Sequence, residues 1–107
     1  MAQPKATEFA RPLITEHLNR HHPNCPEDVK TLVVETLVQR KWKTPITLGK
    51  AVGVVMTAHV RHQFTEYDAV LRLPGLTRQE ALAFVSEEVF QTIRKWRAKK
   101  VHYSSKI

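Results

Sequence analysis

No stretch of this 107-residue chain approaches the roughly 20 consecutive apolar residues that a helix needs to cross a bilayer. It has one cysteine, Cys25, which excludes an intrachain disulfide framework and fits a reducing compartment. Three glycines exclude collagen-like and glycine-linker architectures. Residues 1–12 lack the apolar centre of a signal peptide and carry Glu8, so a cytoplasmic protein is expected. No phosphate loop, dinucleotide fingerprint, GxSxG elbow or HExxH helix is present. What remains is 42% hydrophobic and 25% charged residues, the composition of one globular domain able to fold without crosslinks.

The formal charge of +7 is unevenly placed. Residues 1–35 carry four Lys/Arg against five acids, and residues 66–88 carry two against five. Residues 36–65 carry five basic residues and no acid, and residues 89–107 carry six and no acid. Two basic blocks alternate with two acidic ones, a pattern that builds either a surface for an anionic partner or a solvated face with a loose tail.

Apolar periodicity is helical almost throughout. A first helix is expected over residues 7–20, with Phe9, Leu13, Ile14 and Leu18 on one side and Pro12 in its first turns. Two prolines and an asparagine make residues 21–26 a turn. A second helix, opened by Pro26, Glu27 and Asp28, runs to about Arg40 and buries Val29, Leu32, Val33 and Leu37. A basic connector, Lys41 to Pro45, leads to Thr47, which caps a third helix from Leu48 to His62. That helix is apolar on nearly every side from Ala51 to Ala58, which makes it the bundle's centre. Gly49 and Gly53 on it would let a neighbouring helix approach closely. Thr65 and Asp68 have capping-box spacing for a short fourth helix ending near Leu73, before Pro74-Gly75. Thr77 and Glu80 form a second box for a last helix over 78–99, with a stripe of Leu82, Val85, Val89, Ile93 and Trp96. No strand is expected. The fold class is all-α: a single domain of four to five helices over residues 1–99, with a central apolar helix and a flexible basic tail over 100–107.

Three constellations bear on chemistry. His59, Arg61, His62, Thr65, Tyr67 and Asp68 gather at the end of the third helix. Such a corner can bind phosphate or perform acid–base work. It can equally be a polar hinge in which Thr65 and Asp68 cap, His59 bonds within the bundle and Arg61 pairs with Asp68. His22/Cys25 and His59/His62 have zinc-like spacing, but no metal or other cofactor is expected, because four ligands would have to converge. The third constellation is a near-repeat of a tryptophan among basic residues: Arg40-Lys41-Trp42-Lys43 and Arg94-Lys95-Trp96-Arg97. Basic residues fix phosphates and an exposed aromatic stacks on an unpaired base. Trp96 continues the buried stripe, whereas Trp42 lies in a connector, and Trp42 or Tyr103 is the candidate stacker.

The run from Ala58 to Asp68, followed by Leu71, Gly75, Arg78 and Ala81 and later by Trp96-Arg97, resembles an uncharacterised domain family of bacteria and fungi, domain-of-unknown-function family 2293. His22-Pro23-Asn24-Cys25-Pro26 is similar to the family's His-Pro-x-x-Pro turn, so the resemblance spans about residues 20–97. The chain departs from the family's pattern at Leu82, where arginine tends to follow the alanine. The resemblance implies a domain, and it links Arg61, His62, Thr65, Tyr67 and Asp68 as a set without supplying an activity.

The leading expectation is a small basic module that binds nucleic acid, RNA or DNA, through phosphate contacts. Arg40, Lys41, Lys43, Arg94, Lys95, Arg97, Lys99 and Lys100 would meet phosphates and Trp42 or Tyr103 would stack. The alternative is a protein-interaction or assembly module, and third comes a phosphoester-processing enzyme built on the His59–Asp68 corner. No membrane contact is expected.

Overall fold

The computed structural model describes residues 4–98. Lys99, Lys100, Tyr103 and the expected tail lie outside the described residues. Among the described residues there are five helices: α1 (Arg11–His21), α2 (Glu27–Gln39), α3 (Leu48–Gln63), α4 (Tyr67–Leu71) and α5 (Arg78–Arg97). None is long and apolar enough to cross a membrane. The fold is a predominantly helical small domain, and α3 is its centre, packing against α1, α2, α4 and α5.

The core is one cluster to which each helix contributes. Ile14 and Leu18 come from α1, Val33 and Leu37 from α2, Val52, Met56 and Val60 from α3, Tyr67 from α4, and Ala81 and Val85 from α5. The Thr47 side chain accepts from the Lys50 N–H and starts α3 as expected. Thr77 and Glu80 form a complete capping box at the start of α5. Pro74 and Gly75 turn the chain between α4 and α5, with Gly75 at φ 79°, a conformation that glycine adopts at no steric cost.

Several local expectations are corrected. Residues 7–10 are not helical, and a two-stranded ladder stands where no strand was expected. Lys5–Ala6 (β1) pairs antiparallel with Ile46–Thr47 (β2), Lys5 opposite Thr47 and Ala6 opposite Ile46. The first helix starts only at Arg11, which keeps Pro12 within the turn where its missing N–H costs nothing. α2 buries Lys30 and Val34 beside Val29 and Val33, and leaves Leu32 exposed. Both faces have helical spacing. The Lys30 face wins because the apolar stem packs inward while the ammonium reaches Asn19 at 3.0 Å and Glu27 at 3.4 Å. α4 stops at Leu71, and α5 stops at Arg97, where Ala98 turns extended. Gly53 receives no neighbouring helix: a Cβ there would meet nothing within 4 Å.

Candidate functional site

A groove of about 740 Å³ runs between α3 and α5. Its floor and walls are Thr57 on α3 and Leu82, Val85, Val89, Phe90 and Ile93 on α5. Arg61, Arg94 and Arg97 stand around it, and no acidic residue lines it. It continues along α3 as a shallower trough bounded by Lys50, Gly53, Val54 and Ala58. Phe90 is 60% exposed and Val54 42%. This apolar surface arises because α5 is hydrophobic over more than one face. Ala81, Val85, Val89 and Trp96 go into the core, which leaves Leu82, Phe90 and Ile93 as an adjoining stripe. The sequence signal was available in the excess of apolar residues on 81–96, which is more than one neighbouring helix can cover.

The arginines at the groove come from both basic blocks, Arg61 from the first and Arg94 and Arg97 from the second. Among the described residues no carboxylate pairs with any of them, whereas Arg11 forks onto Glu35 and Lys41 meets Glu8 at 3.9 Å. The Arg61 guanidinium lies 5.6 Å from the centre of the Tyr67 ring, which holds it at the rim.

The other residues of the polar corner satisfy one another. His62 Nδ1 is 2.9 Å from Asp68 Oδ1, so the partner of Asp68 is His62 and not Arg61. Thr65 does not cap α4 with Asp68. Its hydroxyl donates to the Arg61 carbonyl and accepts from the Tyr67 N–H at 3.1 Å, so it closes α3 and fixes the step into α4. Tyr67 is buried, with His62 edge-on to its ring. His59 lies edge-on to Phe64, and Phe64 in turn to Trp96. The set is a joint between α3 and α4, and of its members only Arg61 lines the groove.

The two tryptophan-and-base clusters have different neighbours. Trp42 N–H donates to the Thr7 carbonyl at 2.9 Å, and the Arg40 guanidinium covers the Trp42 ring at 3.8 Å. The indole is half-buried and its Nε1 has no partner. Arg40, Lys41, Trp42 and Lys43 therefore belong to a connector tied to the N-terminal segment. Arg94, Lys95 and Arg97 end α5, where Trp96 is buried in the core. Asn24, in the turn before α2, caps that end by donating its side-chain amide to the Ala98 carbonyl at 2.7 Å. Its backbone N–H donates to the Trp96 carbonyl at 3.0 Å. A capping residue more than 70 positions away leaves no local sequence signal.

Cys25 is buried, and burial pushes its thiol up to about 11, which keeps it protonated and unreactive. Among the described residues no three His, Cys, Asp or Glu side chains are arranged to hold a metal ion.

Neither a curated protein nor a solved structure matches the chain. The model of one family, described as an uncharacterized conserved protein, DUF2293, matches residues 17–97, which include all of α2 to α5 and the end of α1. The chain belongs to the DUF2293 family.

Proposed function

We propose that this chain is a docking module whose α3–α5 groove receives an amphipathic helix with acidic flanks from a protein partner. The observation that carries the reading is the groove itself: an apolar floor with Phe90 largely exposed, three arginines around it and no acid. A helix laid in such a groove buries apolar side chains at i, i+3/i+4 and i+7. Its acidic flanks then meet Arg61, Arg94 and Arg97, which steers the encounter and excludes basic competitors. A second copy of the chain fits poorly, because a twofold interface would set the same arginines against each other. Cytoplasmic placement goes with this reading, since the lone buried thiol needs no oxidising compartment.

The test uses a labelled helical peptide with leucines at i, i+3/i+4 and i+7 and glutamates elsewhere. It should bind the full chain, and Phe90→Asp should weaken it about tenfold or more. Equal affinity for a non-helical polyglutamate peptide would reduce the groove to its charge and overturn the reading.

A second reading is phosphate contact with nucleic acid, favoured by the meeting of Arg61 with Arg94 and Arg97 from two separate basic blocks. It requires an affinity for mixed-sequence RNA or DNA that falls steeply with salt. It also requires that Phe90→Asp alter this affinity far less than Arg94→Ala does. Absence of binding at low salt would sink it.

A further inference from the structure

A smaller cleft of about 320 Å³ lies behind the groove, where the end of α1 meets α3 and the last turn of α5. His17, His21 and His22 line it from the α1 side, Arg97 from α5, and Gly49, Gly53, Met56 and Thr57 from α3. The His17 ring centre is 4.5 Å from that of His21 and 6.2 Å from that of His22. His22 is only 4% exposed, and its Nδ1 is enclosed without a hydrogen-bond partner. No carboxylate lines the cleft.

We propose that this three-histidine cleft binds a small oxyanion of the phosphate or sulfate class, held by Arg97 and the imidazoles of His17, His21 and His22. The enclosed His22 Nδ1 has no partner and Arg97 stands in a lining without a carboxylate, so an imidazole donating from that nitrogen and a guanidinium face the same space with no acceptor between them. Repulsion within the set is already visible. Burial, then Arg97, His17, His21 and Lys30 of α2, push His22 down to about 4. Burial, His21 and Arg97 lower His17 against a weaker opposing pull from Glu16. α3 contributes no charged side chain to the lining, but Gly49 lies in its first turn, the positive end of a 16-residue helix. The C-terminal end of α1 opposes an anion, but with a partial charge set against a full guanidinium. Gly53 borders both this cleft and the trough along α3, and a Cβ there would meet nothing within 4 Å. Among the described residues the three imidazoles are not arranged to hold a metal ion together.

The experiment titrates inorganic phosphate, at constant ionic strength, into the full chain with isotope-labelled histidines and follows the imidazole resonances. His17, His21 and His22 should shift together and saturate in the millimolar range. His59 and His62, at the far end of α3, serve as internal controls and should not follow. Gly53→Leu adds bulk at a lining position where an added Cβ meets nothing, and should abolish saturation while the protein still melts cooperatively. Arg97→Gln should weaken binding about tenfold. Repeated with sulfate, which stays dianionic throughout, affinity should rise as pH falls, because a bound anion favours protonated imidazoles. The proposal is overturned if shifts stay linear with concentration or if His59 and His62 move along with the three. It is also overturned if Gly53→Leu binds as the wild type does, or if zinc chloride moves the three rings and phosphate does not.

Discussion

On one flank of α3, helices α1 and α2 close over Ile14, Leu18, Val33 and Leu37 until none is more than 1% exposed. Surface charges there are matched within the chain: Arg11 to Glu35, and Lys30 to Asn19 and Glu27. On the other flank α5 leaves Phe90 60% exposed, and three arginines have no carboxylate among the described residues. Both flanks are made of the same kinds of residue. Leu13 and Leu32 are exposed on the first flank too, so the difference lies in the charges, which have partners there and, among the described residues, none at the groove. A monomeric surface seldom carries a large contiguous apolar patch without a use for it. The unmatched flank is therefore where function is to be sought.

The largest effect separates the flanks directly. Ile14→Ala removes a fully buried side chain and should cost about 2–4 kcal/mol in urea unfolding. Phe90→Ala should change stability by less than about 0.5 kcal/mol while weakening the acidic helical peptide about tenfold. If the two substitutions cost the fold equally, Phe90 is core and the comparison between flanks breaks.

The histidines sharpen it next. His62 has Asp68 as a partner and His22 has none. His22 titrates near 4 in the folded chain and near 6.5 when unfolded, owing to burial and the cationic groups around it. Above pH 6.5 it is neutral in both states and its contribution is constant. As pH falls from 6.5 toward 4, the unfolded chain takes up a proton that the folded chain refuses, so stability falls. The full loss from this group is on the order of 3 kcal/mol, and His17 adds to it in the same direction. Urea midpoints at pH 7.5 and 5 should show the drop, and His22→Gln should remove most of it. An unchanged drop in the variant would mean that other groups carry it.

Helix ends come third. Thr77→Ala breaks a complete capping box and should cost about 1 kcal/mol. This box was legible in the sequence, since Thr77 and Glu80 are three residues apart and have no competing partner. The identical spacing of Thr65 and Asp68 misled, because the Arg61 carbonyl claims the Thr65 hydroxyl and His62 claims Asp68. The helices, their order and the central place of α3 could be read from apolar period and breakers. Val29, Val33 and Leu37 of α2 could be read as buried too, but not whether their stripe widens to Leu32 or to Lys30 and Val34, since both sides fit the period and the partners of the Lys30 ammonium, Asn19 on α1 among them, are set by the packing. Arg61, Arg94 and Arg97 were visible as members of two basic blocks, but their meeting on one groove depends on how α5 crosses α3. The histidine cleft was missed for the same reason. His17 and His21 have one-turn spacing, yet Arg97 lies 76 positions further on from His21.

The smallest effect tests why the α5 flank is open. Gly49 and Gly53 have the spacing of a close helix–helix contact, and under that reading a methyl group at position 53 would force α3 and a neighbour apart. The structure puts open space there, with nothing within 4 Å of the added Cβ. Gly53→Ala should then stabilise the fold by about 0.5–1 kcal/mol, because alanine forms helix better and restricts the unfolded chain. For a domain of this size that raises the melting temperature by roughly 3–6 °C. A lower melting temperature would show that glycine is needed for packing. A higher one, together with weaker phosphate binding, would show that glycine is kept there at a cost to stability because the space itself is used.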